Sequence, residues 1–221
     1  MGEFITATAF QTEDLDAVRE AVLGFFNTNS WAAENVDEQS PPTENDVRVY
    51  SPTGGWTVIL WPTPFSELAA AEFVSRRLGT LASSVSLYDG DYWRHMLLRN
   101  GVTLDRFASL PDYFAESRQD ADRLRKKYAS RPATVADAVG IPVEQVTPYL
   151  TPVKLDDIED LDIERGTAFP DDEFELDDPW VFVDFWRHFG PQYPQDPAAA
   201  RLIIRLAPGW LERLPYGDGE L

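Results

Sequence analysis

The sequence predicts an α+β protein: a ferredoxin-like antiparallel sheet with two helices on one face and an appended β-meander, followed by a smaller, mostly helical acidic part. Three observations carry this reading. Residues 1–114 alternate apolar runs of strand period with two stripes of helical period. The dipeptides Asp89-Gly90 and Asn100-Gly101, which suit two-residue hairpin turns, separate the last three runs. After Pro111-Asp112-Tyr113-Phe114 the pattern turns helical and then strongly acidic. The expected division is a sheet domain over residues 1–114, with five or six mostly antiparallel strands, and a helical, acidic part over residues 115–221 packed on it.

Residues 4–10 alternate Phe4, Thr6, Thr8 and Phe10 with Ile5, Ala7 and Ala9, a strand with both faces at least partly covered. Thr12 is expected to cap a helix. Glu13 and Asp14 favour its positive end, and Leu15, Val18, Val22, Phe25 and Phe26 fall on one stripe. Residues 32–46 are polar, contain Pro41-Pro42 and read as a loop. Residues 47–51 and 56–61 form a hairpin across Pro52-Thr53-Gly54-Gly55. A second helix runs from Pro64, capped by Thr63, with Leu68, Ala71, Val74 and Leu78 on one face and Gly79 as its stop. Residues 84–88, 92–99 and 102–107 form the meander.

In the second part, residues 115–129 read as a polar helix with a thin stripe of Phe114, Ala121, Leu124 and Tyr128. Residues 134–150 read as two short helices around Gly140-Ile141-Pro142. Asp178-Pro179 opens the aromatic run WVFVDFWRHF, closed by Gly190; cap, proline and glycine favour a buried helix. Asp196-Pro197 opens another helix carrying Leu202, Ile203 and Leu206, and the C-terminus keeps Trp210, Leu211 and Leu214 for packing.

At 221 residues with 43% hydrophobic and 13% aromatic content, the chain has material for a real core despite a net charge of −19. Cysteine is absent, which excludes a disulfide scaffold, a thiolate zinc site, an iron–sulfur cluster and a Cys nucleophile. No apolar run approaches the ~18 residues that cross a bilayer, and no secretory leader pattern opens the chain. The expectation is a cytoplasmic protein without a membrane partner.

Residues 156–178 hold twelve carboxylates against one base, Arg165, and so eleven of the nineteen net negative charges. Clustering of this kind repels nucleic acid and attracts a basic protein surface. Asp171, Asp172, Glu173, Glu175 and Asp177 are the candidate partner-binding residues. The basic island of Arg118, Arg123, Arg125, Lys126, Lys127 and Arg131 offers an internal alternative, pairing with the acidic stretch inside one fold.

For catalysis, Asp89, Asp91, His95 and Asp105 are the candidate acid–base groups, on adjacent strands and turns of an open sheet face. No nucleophile elbow, phosphate-cradling loop or zinc-binding helix accompanies them, so no cofactor is implied. No metal site is expected either. His95 and His188 are the only histidines, and in Asp160, Asp162 and Glu164 the calcium-loop spacing fails at Arg165, where glycine is needed. Asp184, inside the aromatic run, is either buried with a partner such as Arg187 or exposed along a polar stripe. Ala136, Gly140 and Val146 have helix-turn-helix spacing, but the second helix would offer Glu144, Gln145 and Thr147 without a base. The leading expectation is a non-catalytic protein-binding module of immunity or inhibitor type that covers a basic partner surface. The alternatives are a small enzyme using the open sheet face and a helix-turn-helix regulator.

Overall fold

β1 (Ile5–Phe10) lies inside one antiparallel sheet of eight strands in the order β2-β8-β3-β4-β1-β5-β6-β7. The others are β2 (Ala33–Val36), β3 (Asp46–Val49), β4 (Thr57–Leu60), β5 (Leu81–Tyr88), β6 (Tyr92–Arg99), β7 (Val102–Ala108) and β8 (Leu202–Leu206). The structure, a computed structural model, describes residues 3–37, 40–62, 67–153 and 166–210. Among these are five helices: α1 (Leu15–Thr28), α2 (Glu67–Leu78), α3 (Arg118–Lys127), α4 (Pro132–Val139) and α5 (Phe182–Arg187). The expected cap at Thr63 and Pro64, the first half of the acidic stretch with its calcium-like spacing, and Leu211 and Leu214 lie outside the described residues. No helix among the described residues is long and apolar enough to cross a membrane.

Both long helices pack on the same face. Val18, Val22, Phe25 and Phe26 of α1 and Ala70, Ala71 and Val74 of α2 form one core with Phe10, Val47, Val49, Ile59, Met96, Leu98, Ile204 and Leu206 of the sheet. Complete burial of a side chain such as Phe26 is worth roughly 1.5–3 kcal/mol. The α1 cap is Asp14 rather than Thr12: Asp14 Oδ1 accepts from the Ala17 N–H at 2.9 Å. Thr12 stands one step out, its hydroxyl accepting from the Asp14 N–H at 3.2 Å.

The β5–β6 and β6–β7 turns hold Asp89, Gly90, Asn100 and Gly101 at positive φ, the left-handed pair that matches strand twist in a two-residue hairpin. The Gly101 N–H donates to Ser75 Oγ at 3.1 Å, fastening that turn to α2.

The opposite face is covered, which corrects the expectation of an open sheet face. Ala7, Ala9, Val58, Val85, Trp93, Leu97 and Phe107 form a second core with Val135 and Ala136 of α4, Val146, Tyr149 and Leu150 beyond it, and Phe182, Phe185 and Trp186 of α5. The sheet presents apolar side chains on both sides, so both need cover. α5 follows a 3-10 turn at Pro179–Val181 that Asp178 caps by accepting from the Trp180 N–H at 2.8 Å. A close approach locks it to the β3–β4 hairpin. A methyl on Gly54 would fall 2.7 Å from the Gly190 carbonyl oxygen, and one on Gly190, at φ +123°, 2.9 Å from the Trp56 ring.

Two strands stand where other structure was expected. β2 occupies part of the polar segment read as loop, as an edge strand of only four residues without apolar alternation. β8 occupies the run read as a C-terminal helix; only the 3-10 turn Pro197–Ala199 precedes it, and the run slots between β2 and β3. A five-residue run with four apolar side chains carries no period that separates strand from helix, and Ile203 and Ile204 favour the strand. Arg205 then reaches the buried carboxylate of Asp46 across the β3–β8 pair at 2.7 Å. Burial alone would raise the Asp46 pKa, but hydrogen bonds from Arg205 and Thr43 outweigh it and hold the group below the ordinary carboxylate range.

Candidate functional site

The end of the sheet that carries the Asp89-Gly90 turn opens into an acidic cleft of about 520 Å³. Its carboxylates are Glu3, Glu173, Glu175, Asp177 and Asp178, with Gly90 in the wall and Phe174, Pro179 and Trp180 as the apolar surface. Local geometry explains the grouping. Glu3 lies two residues before β1, and its carbonyl accepts from the Gly90 N–H at 3.1 Å, joining this segment to the turn. Its carboxylate accepts from Trp180 Nε1 at 3.0 Å, bringing residues 177 positions apart to one wall. The Trp180 ring lies nearly parallel to those of Phe174 and Phe182, with centroids 6.3 and 5.6 Å away and 24° between the planes in both pairs.

An aromatic patch continues past the turn. Phe4, Tyr88, Tyr92, Tyr113 and Phe114 pack edge to face or tilted at 4.8–6.3 Å. Phe4 is 39% exposed. Asp91 accepts from the Tyr113 hydroxyl, and this hydrogen bond, ahead of burial, raises the tyrosine to about 12. Asp89 and Asp91 flank Gly90 and are exposed, so this pair borders the cleft.

The expected partner-binding residues divide. Glu173, Glu175 and Asp177 line the cleft and are exposed. Asp172 does structural work instead. Its side chain is fully buried, accepting from the Tyr149 hydroxyl at 2.7 Å and the Phe169 N–H at 2.9 Å. Burial first, and that hydrogen bond second, raise the Tyr149 pKa. His188 Nε2 sits 2.8 Å from the same hydroxyl. Asp171, exposed, offers its backbone carbonyl to Arg187 at 2.6 Å. Asp184 is buried beside Arg187 at 3.0 Å, and its other oxygen accepts from the N–H groups of Glu173 and Phe174 at 2.9 and 2.8 Å. Thus α5 holds the cleft rim by its backbone, leaving the Glu173 and Glu175 side chains outward.

The four acid–base candidates do not assemble. His95 is 2% exposed and Asp105 3%, whereas Asp89 and Asp91 stand at the solvent end of the hairpin. His95 lies four residues along β6 from Asp91, about 13 Å of extended strand. Its Nε2 is 2.9 Å from Ser83 Oγ, and burial alone pushes its pKa down to about 3, which keeps the ring neutral. Asp105 accepts from Ser130 Oγ and the Arg131 N–H, each at 2.7 Å. Burial raises its pKa, partly offset by these bonds and by the Arg131 charge. It thereby anchors the chain leading into α4.

No protein-family model, curated protein or solved structure matches this chain. The site therefore rests on its own geometry. Among the described residues no group of three or more His, Asp or Glu side chains is arranged to hold a metal ion. In the helix-turn-helix segment, Gly140 at φ +80° ends α4 and the following element is the three-residue 3-10 turn Val143–Gln145, too short to fill a groove. In the basic island, Arg123 pairs with Asp120, Arg125 with Asp112 and Asp122, and Arg131 with Asp105.

Sequence reasoning missed Glu3, Asp178, Phe174 and Trp180 as cleft residues. Asp178 was visible within the acidic stretch. Glu3 was not, because only the tertiary contact with Trp180 brings it there.

Proposed function

We propose that this chain is a non-catalytic binding module that takes a basic partner into the cleft between the Asp89-Gly90 turn and Trp180. The single observation that carries the reading is five carboxylates around an aromatic floor, bordered by two more at the turn. A lysine or arginine side chain suits both parts: its aliphatic stem lies on Phe174 and Trp180 while its charged head meets the carboxylates. The surrounding negative potential steers such a partner and repels phosphate backbones, which is why a protein is preferred over nucleic acid. An immunity or inhibitor protein that covers a basic surface is the concrete form of this reading, acting in the cytoplasm.

The same reading takes the central order β3-β4-β1-β5, with α1 and α2 on one face, as a ferredoxin-like unit. β6 and β7 extend it as a meander and β2 and β8 widen it on the other side. A sheet domain up to residue 114 followed by an acidic part remains the proposed division of labour, although the second part also lends β8 to the sheet.

The test is a titration with a short arginine-rich peptide, followed through the Trp180 indole N–H resonance at low salt. Perturbation should centre on Trp180, Phe174 and Gly90 and weaken at least tenfold between about 20 and 200 mM salt, as screening shortens the field. The triple variant Glu173→Gln, Glu175→Gln, Asp177→Asn should lose it. Shifts spread evenly over every acidic surface, or unchanged in the triple variant, would refute the cleft as the binding site.

A further inference from the structure

We propose that the cluster Ser83, His95 and Trp186 is an acid-sensitive latch: it holds the C-terminal cover on the second face of the sheet and releases it, ahead of the rest of the fold, when His95 takes up a proton. Trp186 Nε1 of α5 donates to Ser83 Oγ of β5 at 2.9 Å, and Ser83 Oγ lies 2.9 Å from His95 Nε2 of β6. Three polar groups thus cross from the cover to the sheet in an apolar layer, with Ser83 and Trp186 fully buried and His95 nearly so. His95 Nδ1 has no hydrogen-bond partner. The Phe185 ring stands edge-on to the imidazole at 5.0 Å, and Phe107 is its register partner on β7.

A neutral imidazole leaves one nitrogen unsatisfied here, but an imidazolium would carry two N–H donors and a full charge in the same space. No carboxylate hydrogen-bonds either ring nitrogen. On β7, two residues from Phe107, Asp105 is engaged with Ser130 and Arg131. On α5, Asp184 is engaged with the Glu173 and Phe174 N–H groups and lies beside Arg187. Tyr149, which packs on Phe185, is bonded to Asp172 and faces His188. On β5 the residue opposite His95 is Val85.

Once α5 lifts, the ring meets water and regains its ordinary basicity. The sign follows: the closed form holds the neutral base, so falling pH favours the open form, by about tenfold per unit below 6.5 until the closed form itself protonates near 3. Asp105 works the other way, since a carboxyl raised by burial favours the closed form when protonated. Because Asp184 carries the cleft rim, opening of α5 would also loosen the acidic cleft.

Hydrogen exchange at pH 7.5 and 5.0, corrected for the intrinsic chemistry of each amide, tests the latch. Residues 182–189 should lose about thirty-fold in protection at pH 5.0, as one group with a free-state pKa of 6.5 dictates, while α1 and α2 keep theirs. His95→Phe should remove the response. Equal loss in α1 and α2, or an acid response that survives His95→Phe, would overturn the proposal. Should His95→Phe not fold, the wild-type profile decides alone: α5 protection falling tenfold per pH unit below 6.5 supports the latch, and a flat profile refutes it.

Discussion

The two faces of this sheet are covered by different physical means. On the first face two helices of fourteen and twelve residues lay continuous apolar stripes on the strands. On the second face the cover is assembled from the eight-residue α4, a 3-10 turn and the six-residue α5, none long enough to be stable by propensity. Point contacts hold these pieces: Asp105 on Ser130 and Arg131, Asp184 on the 173–174 backbone, Asp172 on Tyr149 and Phe169, Trp186 on Ser83. The difference teaches that the acidic stretch serves two purposes. Its buried Asp172 joins Asp105 and Asp184 in fastening the cover, and its exposed carboxylates face solvent around an aromatic floor.

The largest effect expected from this contrast comes from breaking a fastening. Asp184→Ala removes the acceptor of the part-buried Glu173 and Phe174 N–H groups and leaves Arg187 only Asp171 and Asp172, and should cost about 3–5 kcal/mol in urea denaturation. Phe185→Ala should cost about 3–5 kcal/mol as well, since the ring is fully buried among Trp93, Tyr149 and Phe189. A loss below about 1 kcal/mol for either would return α5 to the surface. Next in size, Gly190→Ala meets both a positive φ and the Trp56 ring, and should cost about 1–3 kcal/mol by the same assay. An unchanged midpoint would mean the Gly54–Gly190 approach is loose.

Acid sharpens the comparison further. Asp46, held below the ordinary range, contributes stability that is present above pH 3.8 and lost only as pH falls through its lowered value. His95 has the same sign but a higher window, its contribution draining away as pH falls below 6.5 toward 3. Between pH 7 and 5 the β3–β8 anchor should therefore stay intact while the second face weakens by about 2 kcal/mol. Equal weakening in an Asp46→Asn background and in wild type would agree; a larger loss in wild type would contradict.

How far the sequence reveals this fold follows the same line. The Asn100-Gly101 turn, the Asp89-Gly90 turn and the α1 stripe are local patterns, and each marks its element directly. Residues 33–36 and 202–206 become strands only because β8 finds a slot between β2 and β3, a non-local event with no local period. The covered second face had a faint signal in β1, where Ile5, Ala7 and Ala9 make one side wholly apolar and Phe4 and Phe10 flank the threonines on the other. In the acidic stretch, charge density singles out Glu173, Glu175 and Asp177, but it does not separate them from Asp172. Burial makes that distinction, and burial depends on Tyr149 and Phe169 arriving from elsewhere.

The smallest stability effect and the sharpest test coincide in one comparison. Urea denaturation of the triple variant Glu173→Gln, Glu175→Gln, Asp177→Asn should match wild type within about 0.5 kcal/mol, or exceed it as like charges are relieved. Asp172→Asn measured beside it should lose about 1–3 kcal/mol, because one oxygen can still accept from Tyr149 and Phe169 but an amide NH2 would replace Oδ1, setting a donor against the Tyr149 hydroxyl and Arg187 and removing the charge that pairs with Arg187. A triple variant that loses as much as Asp172→Asn would show that the rim carboxylates also hold the fold, and the division between fastening and facing would fail.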